Sequence, residues 1–195
     1  MGAIQQVLFM YKTTGDVTAP TVPSSITESH RTTTSYRVNW GASTDADSGM
    51  ASYELFRDGT LYQTIAFPTL LFNVTGEAAG TNKLYKVRAK DVAGNVSAFT
   101  AEVQMGTLCI APTLEVDEVS GDEITHTWNS VTGAASYNLY WKPSSPGIYT
   151  MVMNATSPIT TVVTSLGYTY DFYVEAVNAQ GFESAGSNIV STFVD

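Results

Sequence analysis

The chain has 195 residues, of which only 14% are charged, and its 18 acidic against 9 basic side chains leave a net charge of −9 and a pI near 4.5. Binding phosphates in a row needs clustered Lys and Arg, and nine scattered ones form no such cluster, so nucleic acid and anionic membranes are set aside as partners. The single cysteine, Cys109, cannot close an internal disulfide, and no apolar run is long enough for membrane insertion.

The first element is an arm. Ala3–Lys12 reads as a strand with apolar residues on both faces, and Thr13–Asp16 follows as a polar linker. A contiguous apolar patch is not left in water. Ile4, Val7, Leu8, Phe9, Met10 and Tyr11 are therefore candidate assembly residues. They either pack back on the first domain or add to another subunit's sheet. Nothing basic precedes Lys12 and the apolar run Val7–Tyr11 is short, so no signal peptide is read.

Residues 17–107 open on Ala19-Pro20 and carry strands at Tyr36–Trp40, Tyr53–Arg57 and Tyr85–Ala89. Residues 108–195 open near Ala111-Pro112 and carry strands at Ile124–Trp128, Tyr137–Trp141 and Phe172–Ala176. Most of these alternate apolar and polar residues, the period of a half-buried strand. Clusters of Gly, Pro, Asn and Asp punctuate them. Trp40 and Trp128, and Ala89 and Ala176, are offset by nearly the same interval, and Gly94…Ser97-Ala98 recurs as Gly181…Ser184-Ala185, so one unit is used twice. No segment sustains a helical period. Many short strands with regular turns predict an all-β sandwich in each half.

These residues resemble the fibronectin type III family over both halves, about residues 17–195. The likeness rests on Trp40 and Trp128 in the second strand, Tyr53 and Tyr137 in the third, and the sixth-strand pattern ending at Ala89 or Ala176. Val87–Ser97 closely resembles bacterial and phage-borne members. The resemblance implies two tandem immunoglobulin-like (fibronectin type III) β-sandwiches behind a short N-terminal arm, 1–16. It also implies a corner tyrosine, matched by Tyr170 in the second half but by Lys83 in the first, where the corner is expected to be looser or rebuilt with Tyr85. His126 lies on the face of Trp128 and Ile124 and is expected half-buried, hydrogen-bonded to backbone.

Catalytic chemistry is not legible. Neither His30 nor His126 lies in a motif, the Gly-x-Ser-x-Gly elbow is absent, and no Cys/His spacing suits zinc. No enzyme, no cofactor and no metal ligand set is read. Asp45 and Asp47 sit in a loop that superficially resembles a calcium loop. The position that should supply a bidentate Glu is Phe56, so the match fails and turn chemistry is the reading, with Asp91 and Asn95 expected near the same end.

Two functions fit a chain that presents surfaces. The first is a structural protein of a phage particle, for which the opening Ala3–Leu8 resembles small tail-associated or virion proteins. It would be a head decoration, adaptor or tail- or fibre-associated subunit located in the virion. Its partners would be other virion proteins in a homo- or hetero-oligomeric assembly, docked through the arm. The alternative is an extracellular or cell-surface adhesion module holding a host-surface glycan. Phe67, Trp141, Tyr149 and Phe182 are its candidate contact aromatics, since sugar faces stack on rings.

Overall fold

The structure is a computed structural model and describes residues 15–121, 123–144, 147–155, 159–163 and 167–195. The arm residues Ile4, Val7, Leu8, Phe9, Met10 and Tyr11 lie outside them. The described residues form fourteen strands and no helix. The chain divides into two compact units, the second of which also takes in His30–Tyr36 and Thr75–Asn82.

The first seven strands are β1 (Ile26–Ser29), β2 (Ser35–Trp40), β3 (Met50–Arg57), β4 (Thr60–Ala66), β5 (Leu71–Thr75), β6 (Asn82–Asp91) and β7 (Val103–Gly106). They form a three-stranded sheet, β1-β2-β5, and a four-stranded one, β4-β3-β6-β7. Period-two patterning decides what each strand buries. Along β2, Tyr36, Val38 and Trp40 are buried and the residues between them are not. Along β6, Tyr85, Val87 and Ala89 take the same inward positions.

The last seven are β8 (Leu114–Ser120), β9 (Glu123–Trp128), β10 (Ala134–Pro143), β11 (Thr150–Ala155), β12 (Ile159–Val163), β13 (Tyr168–Asn178) and β14 (Val190–Val194). They repeat the plan, with sheets β8-β9-β12 and β11-β10-β13-β14. All the registered pairings are antiparallel. Inward residues of both layers meet in one core built on Leu114, Trp128, Tyr137, Phe172 and Val174.

The duplication reaches side-chain geometry. The Trp40 and Tyr53 rings lie 5.7 Å apart at 58°, and the Trp128 and Tyr137 rings 5.6 Å apart at 56°. The Tyr53 hydroxyl accepts the Ser43 amide at 2.9 Å, and the Tyr137 hydroxyl accepts the Val131 amide at 2.8 Å. Each tyrosine thus fills the core and satisfies a loop amide that burial would otherwise orphan.

The repeated Ser-Ala dipeptide has a backbone role. Ser97 Oγ accepts the Ala89 amide at 2.9 Å and Ser184 Oγ accepts the Ala176 amide at 3.0 Å. The serine hydroxyl stands in where a partner strand's carbonyl would sit. The chain after β6 and after β13 can then run alongside that strand irregularly without leaving its amides unpaired.

One expectation changes. His126 is fully buried and neither ring nitrogen has a hydrogen-bond partner, whereas a half-buried, backbone-bonded ring was expected. Its ring packs 4.3 Å from that of Phe172. The cause is placement: the inward register that carries Ile124 and Trp128 leaves no backbone group within its reach. At the first-half corner, Lys83 forms an ion pair of 3.0 Å with Asp58 of the β3–β4 turn, and Asp58 also accepts the Leu84 amide. Tyr85 is wholly buried.

Candidate functional site

The outer face of the second four-stranded sheet concentrates groups that the core does not use. Along β10, Tyr137 and Leu139 point inward, so Asn138, Tyr140 and Lys142 point outward. Along β13, Phe172, Val174 and Ala176 point inward, so Asp171, Tyr173 and Glu175 point outward. Antiparallel register sets these as three rungs: Asn138 opposite Glu175, Tyr140 opposite Tyr173, and Lys142 opposite Asp171.

The middle rung is a stack. The Tyr140 and Tyr173 rings are 4.7 Å apart and 10° from parallel. Tyr149 meets Tyr173 edge-on at 4.7 Å, and Lys142 Nζ lies 4.9 Å from the Tyr149 ring. Gly186 leaves room for this cluster, because a Cβ there would come within 3.0 Å of the Tyr173 ring.

The chain after β13 brings Glu183 onto the same face. Its Oε1 accepts the Asn138 amide nitrogen at 2.7 Å and the Tyr140 hydroxyl at 2.8 Å. Burial, followed by the charge of Glu183, raises the Glu175 carboxyl from 4.5 to about 7. Burial and the bond to Glu183 raise the Tyr140 hydroxyl to about 12. Asn138 is 8% exposed and its Oδ1 has no partner. At the third rung, Ser144 and Ser191 hydroxyls bind Asp171 Oδ1 at 2.6 and 2.7 Å and hold its pKa down, with Lys142 Nζ at 3.6 Å.

The same rungs in the first sandwich carry other chemistry. Glu54 stands opposite Arg88 and Phe56 opposite Lys86. Arg88 Nε donates to Glu54 Oε2 at 2.7 Å, and its guanidinium lies 5.2 Å from the Phe56 ring and 5.0 Å from the Phe99 ring. That face supplies its own cation between aromatic rings and a carboxylate.

The four aromatics expected at the surface are dispersed. Tyr149 belongs to the cluster just described. Trp141 points inward, packs against the second core and lies 5.3 Å from Tyr170. Phe182 is exposed in the turn after β13. Phe67 is exposed in the first sandwich, where it lines a cleft of about 530 Å³ with Ser43, Asp45, Met50 and Val92. Tyr140, Tyr173, Glu175 and Glu183 were not singled out from the sequence. The usable signal was alternation, which puts Tyr140 opposite in sense to Leu139 and Tyr173 to Val174.

Asp45 and Asp91 do converge, but with Asp16 rather than Asp47, which is exposed. Carboxylate oxygens of Asp16, Asp45 and Asp91 lie within 4.8 Å of one another, a spacing that could hold a metal ion. Backbone amides hold much of this charge: Asp45 Oδ1 accepts those of Asp47, Ser48 and Gly49, and Asp91 Oδ1 those of Gly94 and Asn95. Asn95 Nδ2 links Asp91 Oδ2 to the Asp16 carbonyl. In the second sandwich Asn178 takes the place of Asp91, its Oδ1 accepting the Gln180 and Phe182 amides.

No family model matches the chain. Among solved structures, a two-domain segment of chicken tenascin matches 88% of this chain and 97% of its own length, with a TM-score of 0.50 and 20% identity, and is described as two fibronectin type III domains. The chain has the fibronectin type III fold, in tandem. Relatives of known name are larger bacterial proteins. Exoglucanase B of Cellulomonas fimi is 35% identical over 92% of this chain, and Chitinase A1 of Niallia circulans 31% identical over 90%. Chitinase D of Niallia circulans is 44% identical over 43% of the chain. The tandem type III chain spans 17% of the exoglucanase and 26% of Chitinase A1.

Proposed function

We propose that the chain is a non-catalytic accessory module that holds a polysaccharide surface outside the cell, through the outer face of β10 and β13. The carrying observation is its likeness, over nine-tenths of its length, to a small part of an exoglucanase and of a chitinase. Enzymes so named act on polymers too large to enter a cell, which supports an extracellular setting. The face has what a sugar contact needs, with aromatic carbon at Tyr140, Tyr149 and Tyr173 flanked by hydrogen-bonding groups at Asn138, Glu175 and Glu183.

A catalytic reading finds no support in the titratable groups. His126 is sealed in the core, and burial raises the thiol pKa of Cys109. The adhesion alternative is therefore favoured over the virion reading, which the named relatives do not support.

The test is sedimentation of the intact protein with insoluble chitin and with cellulose. Saturable retention by either, reduced at least tenfold by Tyr140→Ala or Tyr173→Ala, is the expected result. A wild-type protein that stays in the supernatant with both polymers overturns the proposal.

A further inference from the structure

Resting on the polysaccharide reading above, we propose that this face selects saccharides bearing a free amine. The ammonium group would sit among Glu183, Glu175 and the Asn138 amide oxygen, beside Tyr140 and Tyr173.

The first observation is an orphan acceptor. Asn138 is more than nine-tenths buried, and its amide nitrogen is committed to Glu183 Oε1. That bond fixes the amide plane against the carboxylate cluster and leaves Oδ1 without a donor. A buried acceptor without a partner loses its hydration with nothing in return. A ligand N–H supplies what is missing.

The second is an excess of acceptors. Among the described residues, no ion pair joins Glu175 or Glu183 to a cation. Lys142, on the same face, is engaged with Asp171 and Tyr149. Burial, then the charge of Glu183 and a hydrogen bond to it, keep a proton on the Glu175 carboxyl into the neutral range, so the two carboxyls share a proton where a cation could sit.

The third is the first sandwich, which shows the completed arrangement. Arg88 occupies the position that Glu175 occupies in the repeat. It sits against Phe56 and Phe99 while bonded to Glu54, whose repeat position is Asn138. Exchanging Arg88 for Glu175 keeps an aromatic neighbour and acidic acceptors and removes the cation. A ligand ammonium would restore it from outside, using charge-assisted bonds to carboxylate and the attraction of cations to aromatic rings. A neutral hydroxyl or an N-acetyl N–H can donate to a carboxylate but carries no positive charge, so it forms neither the ion pair nor the cation–ring contact.

The test is calorimetric titration of the intact protein with a glucosamine oligomer and with an N-acetylglucosamine oligomer of equal length. The glucosamine oligomer is expected to bind about tenfold tighter, the ratio set by one charge-assisted hydrogen bond. Glu183→Gln keeps the acceptor for Tyr140 and Asn138 while removing the charge, and should abolish the preference. Glu175→Gln should reduce it, and an unchanged amide spectrum checks the fold of both variants. Equal affinity for the two oligomers overturns the amine selection and leaves the polysaccharide reading standing. Retention on chitin or cellulose with no glucosamine-oligomer binding also overturns it. Neither retention nor oligomer binding removes both readings together.

Discussion

Tyr140 and Tyr173 face each other across β10 and β13 with their rings 10° from parallel, while the backbone between them is ordinary antiparallel ladder. Aromatic pairs contribute about 0.5–1.5 kcal/mol beyond the area they bury. Tyr140→Phe keeps the stack and loses the hydroxyl's bond to Glu183, so its stability should fall by about 1 kcal/mol. Tyr140→Ala loses the stack as well and should cost roughly 2 kcal/mol. Urea unfolding of the two variants separates hydroxyl from ring.

Burial lowers the pKa of His126 from 6.5 to about 4. The unfolded chain therefore binds the extra proton between about pH 6.5 and pH 4, and the folded chain does not. Stability contributed by the neutral ring is complete above pH 6.5 and is lost as pH falls through that window, by about 3 kcal/mol in all. His126→Leu should unfold with a shallower pH dependence between pH 4 and 6.5. Parallel curves for the two proteins would contradict the burial account.

Glu175 runs the other way. Its folded pKa is raised from 4.5 to about 7, so the folded state holds a proton that the unfolded state has released. Folding is favoured by this group at low pH and disfavoured progressively as pH rises from 4.5 to 7. Glu175→Gln should stabilise the protein at neutral pH by about 1 kcal/mol once solvent screening at this part-exposed face is allowed for. The gain should fade toward pH 4.5, as thermal melts at several pH values would reveal.

Tyr53→Phe and Tyr137→Phe test the duplicated core. Each removes a buried hydroxyl that accepts a loop amide, from Ser43 in one copy and Val131 in the other. Leaving such an amide buried without an acceptor costs about 1–3 kcal/mol. The two variants should lose comparable stability in denaturant titrations, because the two sites share geometry to within 0.1 Å in the bond, at 2.9 and 2.8 Å.

Much of the fold was readable because it depends on local rules. Alternation at Tyr36–Trp40 and Phe172–Ala176 specifies which side chains point inward, and the spacing of Trp40 and Trp128 marks the repeat. The site was not readable for the opposite reason. Glu183 reaches Asn138 and Tyr140 only because the chain after β13 runs back beside that strand, which needs the hydroxyl of Ser184 on the Ala176 amide. Asp16 reads as linker in the sequence, yet its carboxylate lies beside those of Asp45 and Asp91, with Thr18 bonding its side chain and Asn95 its carbonyl. Trp141 shows the converse case, a half-buried ring packed against the second core. Its ring type suggests a sugar platform, but its place in the alternation assigns it to the core.

The most direct measurement of the central claim is amide chemical-shift mapping of the intact protein during titration with soluble glucan and chitin oligosaccharides. The account predicts saturable shifts concentrated at Asn138, Tyr140, Tyr173, Glu175 and Gly186. Shifts gathered instead around the Phe67 cleft, or none with any oligosaccharide, would contradict it.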